Sequence, residues 1–185
     1  MLIAELLLHR TRAENVVPVY NEFIQKIPDI EALSLKSASE IQKIAGSLGL
    51  EWRLKLMIKM AEVIVNRFRG QIPCDLEQLK QLPGVGEYIA SAMLIFYCGR
   101  LLPLLDTNTV RITGRYFDLE QSDGSRKTKE FQECITYLID PKEVSESYYA
   151  LIDLGAMICK PANPECQSCP LREHCNYFNK TNKGC

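Results

Sequence analysis

The stretch Leu82-Pro83-Gly84-Val85-Gly86-Glu87-Tyr88 constrains this chain most, because it lets one helix stop and another start within a few residues. Pro83 lacks an N–H and cannot continue a preceding helix. Gly84 and Gly86 can take positive φ and let another backbone approach with no Cβ in the way. Tyr88, Ile89, Ala90, Ala92, Met93, Leu94 and Phe96 then form an apolar run suited to a buried helix. The first N–H groups of such a helix have no acceptor within it and point back into the turn, which makes an anion site. The same residues also suit an ordinary αα-corner in which glycine and proline only relieve crowding.

Around this turn the apolar residues recur with a helical period. Residues 2–9 are apolar except for a few positions such as Glu5, as in a helix buried on most sides. A second helix is expected over 13–25, with Val16, Val17, Tyr20, Phe23 and Ile24 inward, Pro18 near its start and Pro28 beyond its end. Ser37 and Glu40 make a capping-box pair ahead of Ile41 and Ile44. The longest helix is expected over 51–68 through Leu56, Met60, Val63, Ile64 and Phe68, with Met57 and Met60 as core filling and Gly70 at the C′ position. Asp75 with Gln78 caps a helix over 76–81 that delivers the chain into the turn, and the helix after the turn runs to Gly99. Asp106-Thr107-Asn108-Thr109 caps a helix containing Val110, Ile112 and Tyr116. Residues 122–125 are a turn, 131–139 are helical, and Pro141 precedes a last helix over 145–158. No stretch alternates with period two, so the fold class is all-α.

The 185 residues, 46% hydrophobic and 24% charged, suffice for one large core or two smaller ones. No apolar run approaches the roughly 20 residues that span a bilayer, and the N-terminus lacks a signal-peptide pattern. A soluble intracellular protein, of cytoplasm or nucleoid, with no membrane partner is the expectation. Net charge is −1, so any polyanion must be held by local patches. His9-Arg10-Thr11-Arg12, Arg53 with Lys55, Arg67 with Arg69, and Arg111 with Arg115 are candidates, each of which also reads as a solvated helix face.

The eight cysteines are unevenly spread: Cys74, Cys98, Cys134 and Cys185 are scattered, whereas Cys159, Cys166, Cys169 and Cys175 follow a helix with the spacing C-x6-C-x2-C-x5-C. Disulfides are disfavoured by an intracellular setting, and a zinc ribbon would offer two C-x2-C knuckles where this cluster has one. Four thiolates on an iron–sulfur cluster fit the spacing better, with zinc as the alternative. His174 beside a ligand is not counted as one, and Lys160 and Arg172 can offset cluster charge.

The Leu-Pro-Gly-Val-Gly turn, an aspartate about twenty residues later and the four-cysteine terminus together resemble the helix-hairpin-helix base-excision glycosylases of the endonuclease III superfamily, over nearly the whole chain. The resemblance implies two helical halves, 1–98 with the hairpin and 99–185 with a C-terminal [4Fe–4S] loop, and a base-binding cleft between them faced by Tyr88 and Asp106. In that family the hairpin amides grip DNA phosphate, here at Leu82, Gly84, Val85, Gly86 and Tyr88, with a monovalent cation on carbonyls of the turn. Where bifunctional glycosylase/lyases carry the lysine that attacks C1′, this chain has Tyr88, and a phenol cannot form that imine. Adenine glycosylases usually carry serine there and a further C-terminal domain. Tyrosine at this position is similar to the mismatch-specific thymine-DNA glycosylases, as are Ala4-Glu5-Leu6-Leu7-Leu8-His9-Arg10-Thr11 and Leu105-Asp106-Thr107-Asn108-Thr109-Val110-Arg111.

The implied chemistry is base removal without strand cleavage by a monomer acting on double-stranded DNA that holds a mismatched or damaged base. The target nucleotide leaves the stack, most cheaply at a T·G or U·G mismatch. Asp106 stabilises charge developing on the sugar and activates water, unless it serves only as a helix cap. Tyr88 orients the flipped base or the sugar, Glu5 contacts the base or pairs with an arginine, and His9 with Arg10 enters the stack to read the orphaned guanine. Relatives usually have a helical segment ahead of the equivalent of Leu2, which this sequence lacks, as in a truncated or shortened scaffold. The alternatives are another lesion specificity (oxidised pyrimidine, alkylated base or adenine) and a non-catalytic mismatch-binding module.

Overall fold

The computed structural model describes residues 1–49 and 51–181, so Cys185 lies outside the described residues. These are helices with short connections, and no strand occurs among them. The chain divides into two compact units, Met1–Cys98 and Gly99–Cys185.

The first unit holds α1 (Leu2–Leu8), α2 (Ala13–Lys26), α3 (Ile30–Ser34), α4 (Ala38–Ala45), α5 (Glu51–Phe68), α6 (Leu76–Lys80) and α7 (Glu87–Phe96). Its centre is α5, which buries Leu54, Met57, Met60, Ala61 and Ile64 against α1, α3 and α4. The expected capping box is present on α4: the Ser37 hydroxyl accepts from the Glu40 N–H, and the Glu40 carboxylate accepts from the Ser37 N–H at 2.9 Å. That backbone bond, with the Ser37 hydroxyl and Lys36, lowers the Glu40 carboxyl to about 2. Asp75 caps α6 through the Gln78 N–H at 2.9 Å. At the end of α5 the chain turns through two left-handed residues, Arg69 (φ 54°) and Gly70 (φ 78°).

Four expectations need correction here. The buried stripe of α2 is Val16, Val19 and Phe23, continued by Ile27, while Val17 and Ile24 are exposed. A stripe at i, i+3, i+7 and i+11 follows the 3.6-residue turn more closely than the expected set. Pro18 lies inside α2, where Glu14, whose carbonyl it leaves without a donor, is exposed and can be served by water. A five-residue helix, α3, was not anticipated. It is too short to show a period and is announced only by its cap, Asp29, which accepts from the Ala32 N–H at 2.7 Å. Arg53 is no surface cation, being only 2% exposed.

The second unit contains α8 (Thr107–Phe117), α9 (Lys129–Tyr137), α10 (Val144–Met157) and α11 (Asn176–Thr181), so α10 is not the last helix. α8 packs against the other three. Tyr148 on α10 is fully buried, donates to Leu102 O at 2.6 Å and accepts from Leu104 N at 3.1 Å. Burial pushes its phenol up to about 12. This one side chain ties down the extended segment that leads to Asp106. No helix is long and apolar enough to cross a membrane among the described residues.

Candidate functional site

The turn between α6 and α7 is closed by the Val85 N–H bonding to Leu82 O at 3.0 Å, and both side chains are buried. Leu82 and Val85 therefore shape the turn from within. Gly84 has φ 82°, and a Cβ on it would lie 3.2 Å from the Leu6 side chain. Its glycine is explained by conformation and packing alone. Gly86 is different. It caps α7 with φ −86° and ψ −180°, extended values open to any residue, and a Cβ there would meet nothing within 4 Å. Nothing among the described residues requires glycine at Gly86. The first N–H of α7 to bond back is that of Ala90, to Gly86 O at 2.9 Å. Its opening turn is a helix N-terminus of the kind that favours an anion. Tyr88 stands in that turn with 44% of its surface exposed, so it is not a core aromatic.

α1 presents Glu5 and the turn that follows it. Glu5 is half-buried, and burial pushes its carboxyl above the usual range, with the Met1 ammonium partly offsetting this. No hydrogen bond or ion pair reaches it among the described residues, so the expected alternative of an arginine partner is not realised there. His9 and Arg10 are exposed, Arg10 with φ 59°. The His9 ring meets Trp52 edge-on at 6.1 Å.

Asp106 caps α8 as the spacing predicts. Its Oδ1 accepts from the Thr109 N–H at 2.7 Å and the Thr109 hydroxyl at 3.0 Å, and Thr109 Oγ1 accepts in return from the Asp106 N–H at 2.8 Å. Oδ2 is left without a hydrogen bond among the described residues. A carboxylate fixed through one oxygen and free at the other is both a cap and a preorganised acceptor. The two readings of Asp106 are thus compatible in one geometry.

Cys159, Cys166, Cys169 and Cys175 line one pocket with Arg115, Ile158, Tyr177 and Phe178. None of the four is in a disulfide. Burial, then the proximity of the other cysteines, raises Cys166 and Cys169. No three of the described His, Cys, Asp and Glu side chains group closely enough to hold a metal ion. Arg111 and Arg115 are not the solvated or phosphate-facing pair of the sequence reading. Arg111 donates to Cys159 O at 2.7 Å and Gly155 O at 2.8 Å. Arg115 donates to Cys159 Sγ at 3.3 Å and Lys160 O at 2.7 Å and lies 4.8 Å from the Tyr177 ring. Two arginines one helical turn apart therefore pin the cysteine loop to the helix that begins at Asp106. Their four-residue spacing before a thiolate cluster was the available signal. His174 is exposed.

Cys74 and Cys98 form a disulfide with a Cα separation of 5.9 Å. It brackets α6, the glycine turn and α7. The rule that intracellular cysteines stay reduced gave no hint of it, although one cysteine on each side of the hairpin was visible.

Residues 3–135 match the family described as HhH-GPD superfamily base excision DNA repair protein. The chain is 38% identical over 183 residues to the thymine-DNA glycosylase of Aeropyrum pernix, spanning 97% of this chain and 82% of that one. It is 37% identical over 185 residues to the thymine/uracil-DNA glycosylase of Pyrobaculum aerophilum, spanning 97% and 80%. Among solved structures it is similar to a thermostable thymine-DNA glycosylase, with a TM-score of 0.86 and 31% identity across 97% of this chain and 83% of that one.

Proposed function

The chain belongs to the HhH-GPD superfamily of base excision DNA repair proteins, and on that premise we propose that it releases thymine or uracil mispaired with guanine, without cutting the strand. It is a DNA N-glycosylase. The observation that carries the finer reading is Tyr88, half-exposed in the first turn of α7, where lyase members place lysine. A phenol there leaves water as the nucleophile.

In this reading the turn at Gly84 and Gly86 and the start of α7 hold a backbone phosphate, which positions the enzyme independently of sequence. His9 and Arg10 enter the stack and fill the space vacated by the target, and their donors suit the acceptor edge of guanine. Glu5, whose carboxyl burial pushes above its ordinary range, contacts the extruded pyrimidine. Asp106 accepts from the attacking water through its unengaged oxygen and stabilises positive charge developing at C1′. Tyr88 orients the sugar or base.

That Cys159, Cys166, Cys169 and Cys175 line one pocket supports a [4Fe–4S] cluster held by these four residues. When bound, it would neutralise the thiolates and lock the loop 159–175, while Arg111 and Arg115 tie that loop to α8. Brown colour with iron and sulfide in the purified protein tests this, and stoichiometric zinc without iron would overturn it.

The decisive experiment is base release from T·G and U·G duplexes followed by alkali, with borohydride added in parallel. Cleavage only after alkali and no trapped adduct are expected. Intact T·G and U·G strands alongside release of another lesion would refute the specificity. Asp106→Asn should lose about 10³-fold or more in turnover, as for removal of a transition-state stabiliser, while still binding the duplex.

A further inference from the structure

Arg53 is the largest of the fully buried side chains, and its placement is unusual for a cation. Among the described residues it meets no carboxylate. Nη1 donates to Leu6 O at 3.2 Å, Leu7 O at 2.9 Å and His9 O at 2.6 Å, and Nη2 donates to Thr11 Oγ1 at 3.1 Å. The first two acceptors lie at the C-terminal end of α1, where carbonyls lack intrahelical donors and the helix dipole is negative. A cap alone would stop there.

The other two bonds pass beyond the helix and grip the chain on both sides of Arg10. Arg10 is held at φ 59°, a left-handed conformation that L-residues rarely adopt. The Thr11 N–H bonds to Leu8 O at 3.0 Å and closes the same turn. From the neighbouring position on α5, the exposed Trp52 ring packs edge-on against His9. The planar fork of arginine can serve several acceptors in fixed directions, which a lysine ammonium cannot. Desolvation without a counter-ion is tolerated because each bond is charge-assisted and made to an oriented carbonyl or hydroxyl.

We infer that Arg53 is a positioning residue for DNA intercalation: it holds the His9–Thr11 turn in its strained form before DNA arrives, so that Arg10 and His9 enter the stack without first paying to order the loop. This rests on the reading that His9 and Arg10 are the inserting residues. Strained residues persist where their surroundings over-determine them, and here a single buried guanidinium supplies most of that restraint.

The test uses the full chain and a T·G duplex with 2-aminopurine beside the mismatched thymine, whose fluorescence rises on extrusion. Arg53→Lys keeps the charge and much of the volume, and Thr11→Ala removes one grip at little risk to folding. Melting temperature identifies any variant that is only unstable. Arg53→Lys is expected to cut the extrusion signal and single-turnover rate by about tenfold and Thr11→Ala by about threefold, typical of lost preorganisation, while duplex binding through the hairpin changes little. A merely structural arginine would add its effect to any other. A positioning one should not, so Arg53→Lys on top of His9→Ala/Arg10→Ala should cost nothing further in extrusion. Full additivity, or unchanged extrusion in a folded Arg53→Lys variant, overturns the inference while leaving the inserting role intact. Unchanged extrusion in His9→Ala/Arg10→Ala overturns that role, and the inference with it.

Discussion

Two side chains show how far single residues can be read as energy. The Glu5 carboxyl is raised by burial, so the folded chain holds a proton that the unfolded chain releases sooner. Its contribution is therefore favourable below the unfolded value of about 4.5 and is lost as pH rises through the raised folded value. At neutral pH the charged form is a burden. Glu5→Gln should melt higher than the parent at pH 7, with the gap narrowing toward pH 4.5, and a parent equally stable at pH 7 would reject the sign. If Glu5 also serves the flipped base, the same change costs about tenfold in turnover, roughly one hydrogen bond to the base. Tyr148 runs the other way. Phenylalanine there leaves the Leu104 N–H and Leu102 carbonyl without their phenol partner in a buried setting. Tyr148→Phe should lose about 1–3 kcal/mol in denaturant unfolding, and turnover should fall further because the segment carrying Asp106 loosens.

At the scale of elements, what the sequence announced were caps and breakers, since each acts through a few local atoms. Ser37 with Glu40, Asp75 with Gln78, and Asp106 with Thr109 all cap where their spacing placed them. The facing of α2 and the burial of Arg53 were not legible, because both depend on which neighbours arrive from elsewhere in the chain. The hairpin is the instructive mixture. Local rules account for Pro83 and Gly84, yet Gly86 has neither a left-handed backbone nor a crowded Cβ position. Serine is a better N-cap than glycine by a few tenths of a kcal/mol. Gly86→Ser should therefore fold as well as the parent or slightly better, but bind duplex about tenfold more weakly, the cost of standing a side chain between amides and phosphate. Unchanged duplex affinity at low salt would return the turn to an ordinary αα-corner.

Across the whole molecule the cysteines divide by unit. In the first unit Cys74 and Cys98 form a disulfide, and in the second no described cysteine is in one. Sequence spacing exposed the second set, because ligands to one group must be close along the chain or carry a pattern. It could not expose the first, since two cysteines separated by 24 residues become partners only after α6 and α7 fold back. Closing a loop of that length stabilises by about 3 to 4 kcal/mol through the entropy removed from the unfolded chain. The two units should consequently answer differently to reductant. Dithiothreitol, or Cys74→Ser with Cys98→Ser, should lower the melting temperature and speed amide exchange across residues 76–96. Exchange in α8, held by Arg111 and Arg115 to the cysteine loop, should stay as it was. Iron bound by the cysteine loop as proposed should survive the same treatment. If reduction instead loosens α8 first, or leaves 76–96 as protected as before, the disulfide is not what holds the hairpin ready for DNA.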